Sequence, residues 1–237
     1  MSPTIVLVHG AFAESASWDA VIDPLRDAGH AVIAAANPLR GLAADADAVS
    51  DLVRTVSGPV VLVGHSYGGS VISNVDPDAG EITGLVYVNA FVPEPGESAL
   101  DLSGLFPGST LADALQPVQR SDGTTDLYIA ADRFHDQFCA DVPAPQAARM
   151  AATQRPATLE AFQEPSGDRP LWKELPSWFL IGDADRTIPL ALHRFMAERA
   201  GAQRTIEIPG ASHAVAVSHP ETTAHLILEA TAAHVAA

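Results

Sequence analysis

Short runs of consecutive apolar residues recur along the chain, and each run stops at turn-forming residues. The runs lie at Thr4–Gly10, His30–Asn37, Pro59–Gly64, Ile82–Asn89, Ser177–Gly182 and Arg204–Ile208. Most of them are continuously apolar instead of alternating with polar residues, which is typical of strands buried on both faces of a parallel sheet. The chain therefore predicts an α/β fold with a mostly parallel sheet of about six strands.

Helical patterns lie between these predicted strands. They cover Trp18–Ala28, Leu42–Val56, Leu190–Ala200 and Glu221–Ala233. Gly29 after the first pattern suits a helix end, and Pro220 before the last suits a helix start. The alternation predicts right-handed βαβ units and a three-layer α/β/α sandwich with helices on both faces of the sheet. The length of 237 residues, 47% of them hydrophobic, fits a single domain over residues 1–237.

Residues 93–170 interrupt this alternation with prolines, polar turns and short apolar clusters. Weak helical patterns occur near residues 143–152 and 158–163, and the strand–helix pattern resumes at Trp178. An insertion beside the carboxyl ends of parallel strands covers whatever binds there. We therefore predict a helical cap, or lid, inserted within the domain; the alternative is an excursion of the surface without a role at the site.

Charge and composition exclude several classes of partner. The formal net charge is −16, from 29 acidic residues against 13 lysines and arginines, which argues against nucleic acid and anionic membranes as partners. Cys139 is the only cysteine, so no intrachain disulfide can form. No basic leader precedes the first apolar run, and no stretch approaches the ~20 apolar residues of a membrane span. We expect a cytoplasmic protein that is a monomer or a homodimer.

The third apolar run leads into Gly64-His65-Ser66-Tyr67-Gly68, which matches the G-x-S-x-G pattern. In a strand–turn–helix context this pattern holds a serine in a sharp, strained turn, and its glycines let the strand and the helix approach closely. The run VVLV before the motif and the apolar residues after it supply that context. We predict that Ser66 is a nucleophile; the alternative is a glycine-rich turn in an ordinary strand–helix connection.

A serine hydroxyl is a weak nucleophile without a base, so a histidine is required. His213 follows the last predicted strand in IPGASHAVAVSHPE and is favoured over His219, which shares the loop but precedes Pro220. We expect His9 to brace the loop after the first strand and His65 to point away from the site. Four histidines near helix or strand edges are expected on the surface: His30, His193, His225 and His234.

A carboxylate should orient the histidine, and the segment WFLIGDADRTIP offers two. Asp185 is favoured over Asp183 because it begins the turn that Pro189 closes. The chain order Ser66, Asp185, His213 is the order expected for this strand–turn–helix architecture. A metal site made from the two aspartates and His213 is a weak alternative without tight ligand spacing, so we expect no metal. Asn89, at the end of the fourth strand, occupies another position where an acid would fit.

An oxyanion hole requires two backbone N–H groups. The residue after the nucleophile, Tyr67, should supply one, and the loop His9-Gly10-Ala11-Phe12 should supply the other. We predict Ala11 as that second donor, with Phe12 as the alternative donor or as a wall of the acyl pocket. In the insertion, four side chains are candidates to contact substrate, or else to form a small core of the cap itself: Phe106, Phe134, His135 and Phe138.

Four stretches together carry a family resemblance: HGAF after the first strand, GHSYGG, GDADRTIP and GASHAVAVSHPE. With them the chain resembles α/β-hydrolase-fold enzymes over essentially its whole length outside the cap. Within that superfamily its small size and its SHAVAVSHP segment resemble bacterial esterases close to plant methylesterases and hydroxynitrile lyases. The resemblance implies a serine carboxylesterase that cleaves a small, partly apolar ester through an acyl-serine intermediate, without metal or cofactor.

Other activities on the same fold remain as alternatives. Haloalkane dehalogenases and epoxide hydrolases use an aspartate where this chain has Ser66, which argues against both of these activities. The related hydroxynitrile lyases use a lysine near the histidine, whereas here Ala214 follows His213 and the only lysine is Lys173. Cofactor-free oxygenases keep a Ser-His-Asp set, and a non-catalytic small-molecule receptor is the alternative outside enzymology.

Overall fold

A computed structural model of the chain describes residues 2–235, with side chains for residues 2–233. Its strands are β1 (Thr4–Val8), β2 (Val32–Ala35), β3 (Pro59–His65), β4 (Glu81–Val88), β5 (Leu115–Gln119), β6 (Thr125–Ile129), β7 (Ala157–Thr158), β8 (Ser177–Gly182) and β9 (Arg204–Ile208). Six of them form one sheet in the order β2-β1-β3-β4-β8-β9, and every pairing in it is parallel. The predicted sheet is therefore confirmed.

Both faces of this sheet are buried, which explains the continuous apolar runs. Successive side chains of a strand point to opposite faces. Ile5 and Leu7 of β1 accordingly join one core, whereas Val6 and Val8 join the other. Because each face packs into its own core, both alternating sets of side chains along a strand are apolar.

The helices cover these two faces. They are α1 (Asp19–Asp27), α2 (Leu42–Arg54), α3 (Tyr67–Ser73), α4 (Ala99–Ser103), α5 (Leu111–Ala114), α6 (Ala131–Phe138), α7 (Ala144–Thr153), α8 (Leu159–Gln163), α9 (Leu190–Arg199), α10 (Val215–Ser218) and α11 (Pro220–Val235). Helices α1 and α11 pack on one face of the large sheet, and α2, α3 and α9 pack on the other. Across the described helices, none has both the length and the apolar composition of a membrane span.

Between β4 and β8 the chain forms not only helices but also a small antiparallel sheet in the order β5-β6-β7. We predicted a helical cap, so this sheet corrects the expected secondary structure. Strand β5 is mostly exposed and β7 has two residues, so neither shows the apolar pattern of a buried strand. The one local signal is the turn at Ser121-Asp122-Gly123, where Gly123 has a φ of 88°. The boundaries 93–170 of the cap stay a prediction.

The chain between β4 and β8, called the inserted segment below, is bonded to the loop after β2. The guanidinium of Arg40 lies 2.6 Å from the carboxylate of Asp126 on β6 and donates to the carbonyl of Pro156 at 2.7 Å. The N–H of Thr158 donates to the carbonyl of Leu39 at 3.0 Å. These bonds hold the small sheet beside the carboxyl ends of the large one, where a cavity forms between them.

Candidate active site

Ser66 stands in a sharp turn between β3 and α3. Its backbone angles are φ 55° and ψ −125°, a region that non-glycine residues adopt only when the surroundings hold them there. The surroundings do so here, because the Ser66 carbonyl accepts from Phe91 N at 3.1 Å and its N–H lies 3.2 Å from the carbonyl of Asn89. The G-x-S-x-G segment therefore forms the strand–turn–helix elbow that its sequence predicts.

Two glycines leave room for this turn. A Cβ atom on Gly64 would lie 2.6 Å from the carbonyl oxygen of Gly68, so strand and helix could not approach as they do. A Cβ atom on Gly10 would lie 2.5 Å from Cβ of Ser66. The loop after β1 thus passes directly against the serine, as an oxyanion loop must.

His213 and Asp185 form a buried pair. His213 follows β9 and Asp185 follows β8, and Nδ1 of His213 donates to Oδ2 of Asp185 at 2.6 Å. The other carboxylate oxygen accepts from the N–H groups of Thr187 at 2.7 Å and Ile188 at 3.0 Å. Burial by itself would raise the pKa of Asp185, but its interactions with the two histidines outweigh burial and hold the pKa well below the usual range. Asp185 is therefore a fixed carboxylate that orients His213.

A second histidine contacts the same carboxylate. Nε2 of His193, on α9, donates to Oδ2 of Asp185 at 3.1 Å, and the His193 side chain is 1% exposed. The prediction that His193 lies on the surface is wrong. The sequence shows it only as one polar residue in the first turns of a helix, and the burial depends on how α9 packs beside the turn after β8.

Nε2 is the ring nitrogen of His213 that could act as a base. In the part of the chain with described side chains, Nε2 of His213 is buried and has no hydrogen-bond partner. Ser66 and His213 are not hydrogen-bonded in this conformation, and such bonds commonly tighten only when substrate is present. The two residues are nevertheless neighbours, because the His65 ring next to Ser66 lies 4.8 Å from the His213 ring and donates from Nε2 to the His213 carbonyl at 3.0 Å.

Asp183 and His219, the alternatives to Asp185 and His213, contact other groups. Asp183 is exposed, and its carboxylate accepts from the N–H of Gly210 at 2.6 Å. Nδ1 of His219 lies 2.9 Å from the hydroxyl of Ser218 and 3.8 Å from the carboxylate of Asp141. Among the described side chains, no group of three or more His, Cys, Asp or Glu is arranged to hold a metal ion.

The backbone N–H groups near Ser66 divide into free and occupied ones. Within residues 2–235, the N–H groups of Ala11 and Tyr67 have no hydrogen-bond acceptor. Tyr67 is the first residue of α3, where an N–H has no acceptor inside the helix. The N–H of Phe12 donates instead to the carbonyl of Arg155 at 2.9 Å, so Phe12 is not an oxyanion donor in this structure. Its ring stacks on Phe162 and lines the cavity at Ser66, so its role as a wall of an acyl pocket stays a prediction.

Buried polar residues hold this loop in place. Nδ1 of His9 donates to the carbonyl of Gly10 at 2.9 Å, and Asn37 donates to the carbonyl of His9 at 2.9 Å. Burial lowers the pKa of His9 to about 4, so the ring is neutral near pH 7. These contacts agree with the predicted bracing role of His9.

The Tyr67 ring turns away from the reacting groups. Its hydroxyl donates to Oδ2 of Asp45 on α2 at 2.9 Å, and burial raises the pKa of both side chains. Sequence reasoning missed Asp45, since an acidic residue in the first turn of a helix is ordinary. Tyr67 is thus anchored by its side chain while its N–H remains free.

A cavity of about 340 Å³ opens onto Ser66. None of its lining side chains carries a charge. It is lined by Phe12, Ser66, Phe91, Leu100, Ser103, Gly104, Ser109, Leu111, Ala112, Leu115, Leu127, Leu159, Phe162 and Thr187. The site is therefore built to surround an uncharged, mainly apolar group.

The four cap residues predicted to contact substrate do not line this cavity, which corrects that prediction. Phe134 and Phe138 are buried in the core, and the Phe138 ring packs edge-on against the His213 ring at 5.0 Å between centroids. Nε2 of His135 donates to the carbonyl of Val142 at 2.8 Å. Phe106 packs against Phe195 of α9. An apolar residue on a short helix is equally suited to core and pocket, and only packing decides between them.

The chain belongs to the alpha/beta hydrolase family, whose model matches residues 5–226. It is 29% identical over 249 residues to a pyrethroid hydrolase from Sphingobium wenxiniae, covering 95% of this chain and 86% of the relative. It is 39% identical over 152 residues to a carbendazim hydrolyzing esterase from a Nocardioides species, covering 59% and 60% of the two chains. A solved methylesterase from Arabidopsis superposes with a TM-score of 0.78 at 17% identity, over 97% of this chain and 99% of that one. The predicted family resemblance is confirmed.

Proposed function

We propose that this protein is a serine carboxylesterase in which Ser66 is the nucleophile, His213 the general base and acid, and Asp185 the residue that orients His213. One observation carries the proposal: a strained, nearly buried serine opens onto an apolar cavity beside a buried His213–Asp185 pair. The two curated relatives are named as a hydrolase and an esterase, which supports the same reaction class.

The reaction follows from the positions of these groups. Nε2 of His213 takes the proton of the Ser66 hydroxyl while its oxygen attacks the ester carbonyl carbon. The negative charge that forms on the carbonyl oxygen is stabilised by the N–H groups of Ala11 and Tyr67. His213 then passes the proton to the departing alcohol, which leaves an acyl-serine. A water molecule, activated by His213 in the same way, releases the acid and restores Ser66.

The cavity also indicates which esters fit. A charged substituent inside it would lose its hydration without gaining an ionic partner, which is costly in free energy. We therefore propose a small-molecule ester whose group in the cavity is neutral and largely apolar. We also propose that the protein acts in the cytoplasm, as a monomer or a homodimer and without a cofactor. The net charge of −16 argues against nucleic acid and anionic membranes as partners.

Replacement of Ser66 by alanine tests the assignment. We expect Ser66→Ala to remove hydrolysis of short p-nitrophenyl esters and labelling by a fluorophosphonate probe, with a melting temperature close to that of the wild type. Ser70→Ala is a matched control, because Ser70 lies one turn further along α3 and its buried hydroxyl has no partner. Turnover retained in Ser66→Ala would contradict the assignment. Absence of turnover and labelling in the wild type would instead support a non-catalytic receptor.

A further inference from the structure

Asn89 joins three loops at the carboxyl edge of the sheet. It directly follows β4, is fully buried, and has a φ of 42°. Its side-chain oxygen accepts from the N–H of Gly182 at 2.7 Å. Its side-chain nitrogen donates to the carbonyls of Ser212 at 2.9 Å and His213 at 3.1 Å. Both ends of the amide are therefore used, one on the end of β8 and one on the loop that carries His213.

The backbone of the same residue contacts the nucleophile. The Asn89 carbonyl lies 3.2 Å from the Ser66 N–H, which the Val88 carbonyl shares at 3.3 Å. The Asn89 N–H donates to the carbonyl of Leu180 in β8 at 2.9 Å. Asn89 thus bonds the main chain of Ser66 through its backbone and the main chain of His213 through its side chain.

We propose that Asn89 is a positioning residue for the esterase reaction: it sets the separation of Ser66 Oγ and His213 Nε2 by tying the main chains of both residues to the end of β4. This role rests on the proposed function. Displacement of reacting groups by about 1 Å can lower a rate by about 100-fold. Residues 211–214 of the loop that carries His213 lie in neither a strand nor a helix, so individual hydrogen bonds such as these set the position of its backbone.

The residue type matches the demands of the position. Asparagine tolerates the left-handed region better than most residues, and its amide both donates and accepts. An aspartate of the same shape would place a carboxylate oxygen against the carbonyls of Ser212 and His213 with no proton between them. Glycine would keep the backbone angles and remove the amide. These two substitutions therefore separate the backbone requirement from the hydrogen-bonding requirement.

The experiment uses the full chain with Asn89→Gly, Asn89→Ala and Asn89→Asp. Steady-state hydrolysis of p-nitrophenyl acetate gives kcat and KM, and a fluorophosphonate probe gives the rate at which Ser66 reacts. We expect kcat and the labelling rate of Asn89→Gly to fall together by roughly 30- to 300-fold. KM should stay within about threefold, because Asn89 does not line the cavity. If Asn89 contributed only to stability, the variant would have a lower melting temperature, but its kcat and labelling rate would not fall while KM stayed unchanged.

Asn74→Ala is the matched control. The Asn74 side chain also bridges backbone groups, donating to the carbonyl of Ser70 at 2.9 Å and accepting from the N–H of Gly167 at 2.8 Å. It lies at the far end of α3 and contacts neither Ser66 nor the loop that carries His213. We expect its kcat and labelling rate to stay within twofold of the wild type.

Two results for a folded Asn89→Gly variant would overturn the positioning role. One is a kcat and a labelling rate that both stay within threefold of the wild type. The other is a loss of turnover while the labelling rate stays unchanged. If Asn89→Gly does not fold, Asn89→Asp replaces it with the same expected losses. Failure of all three variants to fold would show that the amide serves folding and not the site, which also overturns the proposal. A wild type that neither hydrolyses esters nor reacts with the probe contradicts the proposed function itself.

Discussion

The imidazole of His193 donates from Nε2 to Oδ2 of Asp185 at 3.1 Å, and both side chains are almost completely buried. The same oxygen accepts from His213 at 2.6 Å. A carboxylate oxygen that accepts two N–H groups has less charge to offer each of them. Oδ2 of Asp185 is therefore shared between His213 and His193.

The two aspartates after β8 should differ sharply in their effect on activity. Asp185→Asn would keep the shape but present an amide to His213, so we expect kcat to fall by about 10³- to 10⁴-fold, as for a triad whose imidazole is wrongly oriented. Asp183→Asn loses only a charge on an exposed loop, and kcat should stay within twofold. Parallel kinetics on both variants decide the matter, and a larger loss in Asp183→Asn would mean that the acid is misassigned.

Gly10→Ala should disable the site. The added methyl group would lie 2.5 Å from Cβ of Ser66 and 2.7 Å from the carbonyl of His65, so the serine turn or the oxyanion loop must shift. We expect a loss of at least about 100-fold in kcat, the cost associated with one displaced oxyanion donor. Gly29→Ala is the control, because no atom lies within 4 Å of its Cβ and its strain at φ 90° affects stability alone. Near-wild-type turnover in Gly10→Ala would argue against a loop held tightly on Ser66.

Cavity residues and core residues of the inserted segment should separate in an ester panel. Leu127→Phe reduces the space around the substrate, so kcat/KM for long acyl chains should fall by roughly 10-fold relative to acetate, given about 1–3 kcal/mol for lost methylene contacts. Phe134→Leu, in the core, should cost about 1–2 kcal/mol of stability and leave the acyl preference unchanged. The reverse pattern would restore Phe134 as a substrate contact.

Mild acid should destabilise the folded state through two buried histidines. Burial lowers the pKa of His9 from 6.5 to about 4 and that of His65 from 6.5 to about 3. Below pH 6.5 the unfolded chain therefore binds protons that the folded chain does not, so stability falls between pH 6.5 and the folded values. From pH 7 to pH 5 the loss should be roughly 2 kcal/mol for each histidine.

Urea unfolding at pH 7 and pH 5 measures this loss. His9→Gln should be less stable than the wild type at pH 7 but should lose less on acidification. His225→Gln should keep the wild-type loss, because the His225 side chain is exposed in both states. Equal losses in His9→Gln and the wild type would show that His9 is not the group responsible.

Local patterns in the sequence predicted most of the large sheet and its helices. The strands β1, β3 and β8 coincide with apolar runs, and α2 and α9 begin where their patterns begin. Burial on both faces concerns each strand separately, so a run of consecutive apolar residues in the sequence indicates it. The small sheet was missed because β5 is mostly exposed, β7 has only two residues, and the pairing of β7 with β6 joins residues far apart in the chain.

The pairing of Asp185 with His213 was likewise predictable from the sequence alone. Residues that follow neighbouring parallel strands must meet at the same edge, so motif and order along the chain were sufficient. The choice between Ala11 and Phe12 as the second N–H donor was not predictable, because it depends on a hydrogen bond from the Phe12 N–H to the carbonyl of Arg155, which lies between β6 and β7.

By itself, then, the sequence determined the parallel α/β architecture, the serine turn and the residues placed at the strand ends, since each follows from local periodicity and strand order. Only the tertiary structure decided which side chains line the cavity at Ser66, that His193 shares the carboxylate with His213, and that Asn89 bridges the loops. These contacts join segments far apart in the chain, and which face of a short helix or loop turns inward depends on packing that no local pattern encodes.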